Sequence, residues 1–197
     1  MKRNQKGRSM VEMLGVLAII GVLSAGGLAG YSKAMYQHRL NKQAEQIGYI
    51  LDNSAVLHSQ GIDLSTVPYY AKTFFNSIGA ITKEMVKDDS YFIYDSFKNQ
   101  VLLYRNRSCA TCPHYFGLRV VIKKNAYDIC INLYKQAVPR ADFLMETLFV
   151  KSNENVSGQH TNYVTRNVLK TLTINRMQEL CSVCDDASSC HFYFIWS

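Results

Sequence analysis

The stretch Met13–Tyr31 reads MLGVLAIIGVLSAGGLAGY and holds no charged residue. A helix of these 19 residues covers about 28 Å, close to the thickness of a hydrocarbon core. Ahead of it stands MKRNQKGRSMVE, with Lys2, Arg3, Lys6 and Arg8 basic and nothing acidic before Glu12. The positive-inside rule then keeps the N-terminus in the cytoplasm and places the chain beyond Tyr31 across the membrane. The averages conceal this run. Over 197 residues, 48% are hydrophobic, 19% are charged and the formal charge is +7, values ordinary for a globular chain. They exclude a disordered protein, and 11 Gly with 3 Pro exclude a collagen-like or low-complexity one.

A secretory signal peptide cleaved near Ala25 or Ala29 has the basic start and apolar core, but its core is shorter and carries no Glu at the entrance. A plain single-pass anchor fits the hydropathy and leaves Glu12 unexplained. A carboxylate at that depth costs a few kcal/mol unless it is paired or near the interface.

The segment Gly7 to Leu23, GRSMVEMLGVLAIIGVL, accounts for every residue. It resembles the class III signal of type IV pilins and type II secretion pseudopilins. There a short basic leader ends in Gly, a prepilin peptidase cuts after it and methylates the new N-terminus, and Glu stands five residues beyond the cut. The resemblance implies cleavage after Gly7, methylation of Arg8 (where the family usually carries Phe or Met) and an assembly role for Glu12. In the family, that Glu pairs with the N-terminal amine of a neighbouring subunit. A carboxylate and an amine, each costly near lipid, neutralise one another.

The implied fold is α+β and type IV pilin-like. Residues 1–7 form the leader and 8–60 a long N-terminal helix, with 13–31 transmembrane. Residues 61–197 form a globular head with a small antiparallel sheet and disulfides. The implied partners are the inner membrane, the prepilin peptidase, other pilin subunits and, indirectly, the assembly ATPase. The implied location is the bacterial inner membrane with a periplasmic head, then a pilus or pseudopilus.

The remaining sequence supplies local expectations. Leu40, Ala44, Ile47, Leu51, Ala55 and His58 recur at spacings of three and four, which extends the helix to about Gln60, where Gly61 ends it. Its length from Ser9 would be roughly 78 Å. Gly26, Gly27 and Gly30 mark either close helix packing or a weak point. Short helices are expected over Tyr69–Ile78 and Ile81–Val86, and strands over Tyr91–Tyr94, Val101–Tyr104, Gly117–Lys124 and Phe143–Val150. A helix over Ala126–Val138 should bury Tyr127, Cys130, Ile131 and Tyr134. Residues 152–162 read as a polar loop, and 163–177 fit strand or helix. His191–Trp196 is apolar on both faces, as a central or covered strand is.

Six cysteines, Cys109, Cys112, Cys130, Cys181, Cys184 and Cys190, include two CxxC pairs. The 68 residues between the pairs are too many for a zinc ribbon, and an exported head favours disulfides. Spacing does not choose the pairing. The family resemblance implies that Cys130 joins Cys181, Cys184 or Cys190. Pro113 after Cys112 leaves no helix start to activate a thioredoxin-like thiol. His38, His58, His160 and His191 share no ligand spacing. No phosphate-binding, nucleophile-elbow or zinc-protease motif is present, and no catalytic residue, cofactor or metal is assigned. Losing Lys2, Arg3 and Lys6 with the leader takes the charge from +7 to +4, too mild and dispersed to argue for nucleic acid. The competing reading is a membrane-anchored periplasmic protein with a CxxC redox or metal-binding head.

Overall fold

A computed structural model describes residues 6–61, 67–105, 115–151, 163–184 and 189–196. Its first element, α1 (Lys6–Ser59), is one helix of 54 residues, unbroken through Gly26, Gly27 and Gly30. It ends where Gly61 takes φ +64°, a conformation that only glycine enters without strain. The Gly61 amide donates to the His58 carbonyl at 3.1 Å. The chain divides into two compact units, one up to Arg39 and one from Leu40 onward.

The second unit is α+β. It contains α2 (Lys72–Ser77), β1 (Ile93–Tyr94), β2 (Gln100–Arg105), β3 (Phe116–Ile122), α3 (Ala126–Ala137), β4 (Glu146–Lys151), β5 (Tyr163–Thr165), α4 (Arg166–Lys170), α5 (Ile174–Cys181) and β6 (Cys190–Trp196). The strands form one antiparallel sheet in the order β1-β2-β3-β6-β4-β5. β6 lies between β3 and β4, the central place its apolar faces call for. Phe192, Phe194 and Trp196 point from it into the main core with Leu118 and Val120 of β3. Ile47, Ile50 and Leu51 of α1 and Ile129, Leu133 and Tyr134 of α3 belong to the same core. The alternate residues Tyr193 and Ile195 join Leu148 and Val150 in a second cluster on the other face.

Several local expectations shift. The helix expected from Tyr69 starts at Lys72, because the chain before it pairs with β2. The Ala71 amide donates to the Leu103 carbonyl at 3.0 Å, and the Arg105 amide to the Tyr69 carbonyl at 2.9 Å. Ile81–Val86 gives only a tight turn at Lys83–Met85. The strand expected from Phe143 begins at Glu146, since the Phe143 and Leu144 amides both bond back to the Arg140 carbonyl. The ambiguous 163–177 segment splits into β5, α4 and the start of α5, which Thr173 caps by accepting the Arg176 amide. On α3 the buried face is Ala126, Ile129, Cys130, Leu133, Tyr134 and Ala137, so it is rotated from the expected one. Tyr127 is exposed and Ile131 only half-buried.

A polar seam joins α1 to the rest of this unit. Gln43 and Gln46 are buried on α1. Gln43 Nε2 donates to the carboxylate of Asp95, in the turn between β1 and β2. Asp95 is 3% exposed and also accepts from the Phe97 amide at 2.9 Å, the Asn99 amide at 2.8 Å and Asn99 Nδ2 at 3.1 Å. From α3, Asn132 Nδ2 donates to the Leu40 carbonyl at 2.9 Å and to Gln43 Oε1 at 3.2 Å. Gln46 accepts the Ser96 amide at 2.9 Å and donates to Glu84 at 3.2 Å. Nearer the surface, Lys42 lies 2.8 Å from Glu84 and holds that carboxyl below its usual range.

Every hydrogen-bond partner of Asp95 is neutral, so burial outweighs the donors and raises its pKa. A raised carboxyl pKa means that the folded state holds its proton more tightly than the unfolded chain does. The resulting stability is complete below about pH 3.9 and is lost as pH rises through the folded value. Thermal unfolding of wild type and Asp95→Asn, followed by near-ultraviolet circular dichroism, therefore shows the wild type losing ground to the variant as pH rises above about 4. A difference that stays constant with pH contradicts the assignment. Gln43→Ala, which leaves the carboxylate one donor short, costs about 1–3 kcal/mol in the same measurement.

Candidate functional site

Among the described residues, nothing buries the first part of α1. Met13, Leu14, Val16, Leu17, Ile19, Ile20, Val22 and Leu23 are all more than half exposed. At 100° per residue these positions point to every side of the helix. A helix apolar all round belongs in a hydrophobic surrounding rather than on a wet surface. Burying each such side chain gains about 1.5–3 kcal/mol. By length and composition α1 is able to cross a membrane, and its most apolar window is wholly unburied within the chain. A Cβ placed on Gly15, Gly21, Gly26, Gly27 or Gly30 would meet nothing within 4 Å. Among the described residues, no contact therefore requires glycine at these positions.

Glu12 lies on α1 at the entrance to this segment, with its side chain exposed. Gly7 and Arg8 lie in the helical backbone five and four residues before it. Sequence order thus places all three at one end of a helix whose next turns carry no charge.

The cysteines lie elsewhere. Cys130 of α3 is bonded to Cys181 of α5, and Cys184 to Cys190 at the start of β6. The Cys181-Ser182-Val183-Cys184 pair is thus divided between two disulfides, which is not the internal bridge of a CxxC redox motif. Cys181, Cys184 and Cys190 are buried, as is Cys130. Cys109 and Cys112 lie outside the described residues, as do His160 and the 152–162 loop. Among the described residues, no group of His, Cys, Asp or Glu is placed to hold a metal. His38 is exposed, His58 contacts the Phe143 ring at 5.9 Å and His191 is half-buried, lowered in pKa by desolvation and then by Arg119.

Sequence periodicity missed the polar anchors. Gln43 and Gln46 are long amides among charged residues, and nothing local marks them as buried. Asp95 reads as an ordinary turn acid. The Arg140 guanidinium was also silent in sequence. It forms a bidentate pair with Asp52, both contacts at 2.7 Å, and passes over Gly48, where a Cβ would stand 2.9 Å from Nη2.

The two disulfides among the described residues close loops of different length, with sequence separations of 51 and 6. In the chain-entropy account, replacing Cys130 and Cys181 by Ala costs about 4 kcal/mol and replacing Cys184 and Cys190 about 2 kcal/mol. Denaturant unfolding of the two double variants checks this order. Equal losses, or a larger loss for the short loop, contradict it.

Comparison with known proteins gives no further lead: no protein-family model matches the chain, and no curated protein matches its sequence.

Proposed function

We propose that this chain is a structural subunit, pilin or pseudopilin, of a type IV pilus or type II secretion-type filament. One observation carries the reading. A continuous helix, α1, begins as an apolar rod exposed on all sides, and the spacing of Gly7 and Glu12 ahead of it matches a prepilin signal. The α+β architecture from Leu40 onward, with its antiparallel sheet and disulfides, is compatible with a pilin-like head.

In this reading the apolar rod rests first in the inner membrane, with the head in the periplasm. Prepilin peptidase cuts after Gly7, and the new amine of Arg8 is methylated. An ATPase-driven assembly machine then draws subunits out of the lipid. The rod exchanges lipid for the rods of neighbouring subunits, which keeps its side chains out of water throughout. The open glycine positions let backbones approach closely in that packing. Glu12 sets the register by pairing with a neighbour's N-terminal amine, an attraction strengthened by low dielectric.

The reading separates insertion from assembly. Glu12→Ala keeps the apolar run and so remains membrane-inserted, whereas its incorporation into sheared filaments falls at least tenfold. Membrane fractionation and immunoblotting of sheared filaments measure both. Normal incorporation of Glu12→Ala removes the role assigned to Glu12.

A further inference from the structure

On the surface of the second unit, residues 68–91 enclose a cleft of about 590 Å³ that the assembly reading does not use. This size lies within the range of small-molecule sites, about 300–1,000 Å³. Three tyrosines build one side of it. Tyr70 and Tyr91 are stacked, with centroids 4.1 Å apart and planes 22° apart, and Tyr69 meets Tyr70 edge-on at 4.7 Å. One face of Tyr91 lies on Tyr70, yet the residue is 59% exposed. Its other face is therefore open, a flat apolar platform backed by the Tyr70 ring.

The loop carrying Tyr91 is fixed from below. Lys72 Nζ donates to the Asp88 and Ser90 carbonyls. The Asp88 carboxylate accepts the Ser90 amide at 3.0 Å, together with its hydroxyl. Lys72 and Asp88 are thus occupied in holding the loop. Thr73, Asn76 and Asp89 also line the cleft, and no hydrogen bond ties their side chains among the described residues. They offer a hydroxyl, an amide and a carboxylate beside the aromatic platform.

This combination selects a ligand class. A 4.1 Å stack leaves no space between Tyr70 and Tyr91, so the rings do not form a cage around a cation. Two carboxylates against one lysine make the lining slightly acidic, which repels nucleic acid and other polyanions. A neutral saccharide meets both remaining features. The C–H face of a pyranose is flat and apolar and stacks on an aromatic ring. Its adjacent hydroxyls both donate and accept, as a carboxylate, an amide and a hydroxyl require. We infer that the cleft is a binding site for a neutral glycan, with Tyr91 as the stacking platform and Asp89, Asn76 and Thr73 as hydroxyl partners. The site needs nothing from the apolar part of α1, so it stands or falls apart from the filament reading.

Calorimetric titration of the full-length protein tests it, in a polyoxyethylene detergent, because sugar-headed detergents would compete. The probes are maltotetraose, cellotetraose, chitotetraose and mannotetraose, with an anionic hyaluronan tetrasaccharide as control. At least one neutral probe binds with Kd below about 1 mM. Tyr91→Ala weakens that binding at least about tenfold, a loss on the scale of one aromatic contact, while Tyr91→Phe keeps it. Asp89→Ala weakens it severalfold. Absence of binding by all four neutral probes at about 5 mM overturns the inference. So does equal binding by Tyr91→Ala, or a preference for the anionic probe.

Discussion

The helix Met13–Tyr31 is uncharged and apolar on every side, and that makes water a poor surrounding for it. The side chains point in every direction and are exposed along the whole run. No single protein face could cover such a rod; something has to surround it. A bilayer does so, and so does a bundle of identical rods. A helix suits either surrounding, because backbone groups in an apolar medium must bond to one another. α1 passes without a break through Gly26, Gly27 and Gly30, which would weaken a helix in water.

From Leu40 the same helix meets a different demand, since it docks against a sheet and another helix around a buried core. Apolar contacts through Ile47, Ile50 and Leu51 provide the bulk of the burial. Orientation comes from the polar seam. Gln43 receives from α3 and donates to the β1–β2 turn, so one side chain couples three elements. A buried carboxylate held by neutral donors is a costly way to achieve this. It is tolerable because Asp95 satisfies two amides of its own turn, and it makes the turn and the helix interdependent. An apolar residue at position 43 would bury more surface and fix nothing about rotation.

The sequence made some of this readable and hid the rest for identifiable reasons. The uncharged run, the helix stop at Gly61 and the central place of His191–Trp196 follow from composition and local pattern alone. Long-range pairing does not. Tyr69–Ala71 has a helical look, but β2 claims its backbone, and Phe143–Leu144 has a strand's residues, but Arg140 turns the chain there. The rotated face of α3 has the same origin: Ile129 and Leu133 enter the main core, and only the fold decides that they outrank Tyr127 and Ile131. The buried amides of α1 were unreadable because a glutamine's environment depends on partners 38 to 89 residues away. The cleft tyrosines were unreadable for a related reason. Tyr70 and Tyr91 are 21 positions apart, and only the fold stacks them.

The central claim concerns what becomes of the N-terminus, because processing distinguishes a filament subunit from any other anchored protein. Intact-mass spectrometry of the protein purified from cells with a prepilin peptidase measures it directly. The account predicts a chain that lacks Met1 to Gly7, begins at Arg8 and carries one added methyl group. A chain that still begins at Met1, or one cut near Ala25 or Ala29, would contradict it.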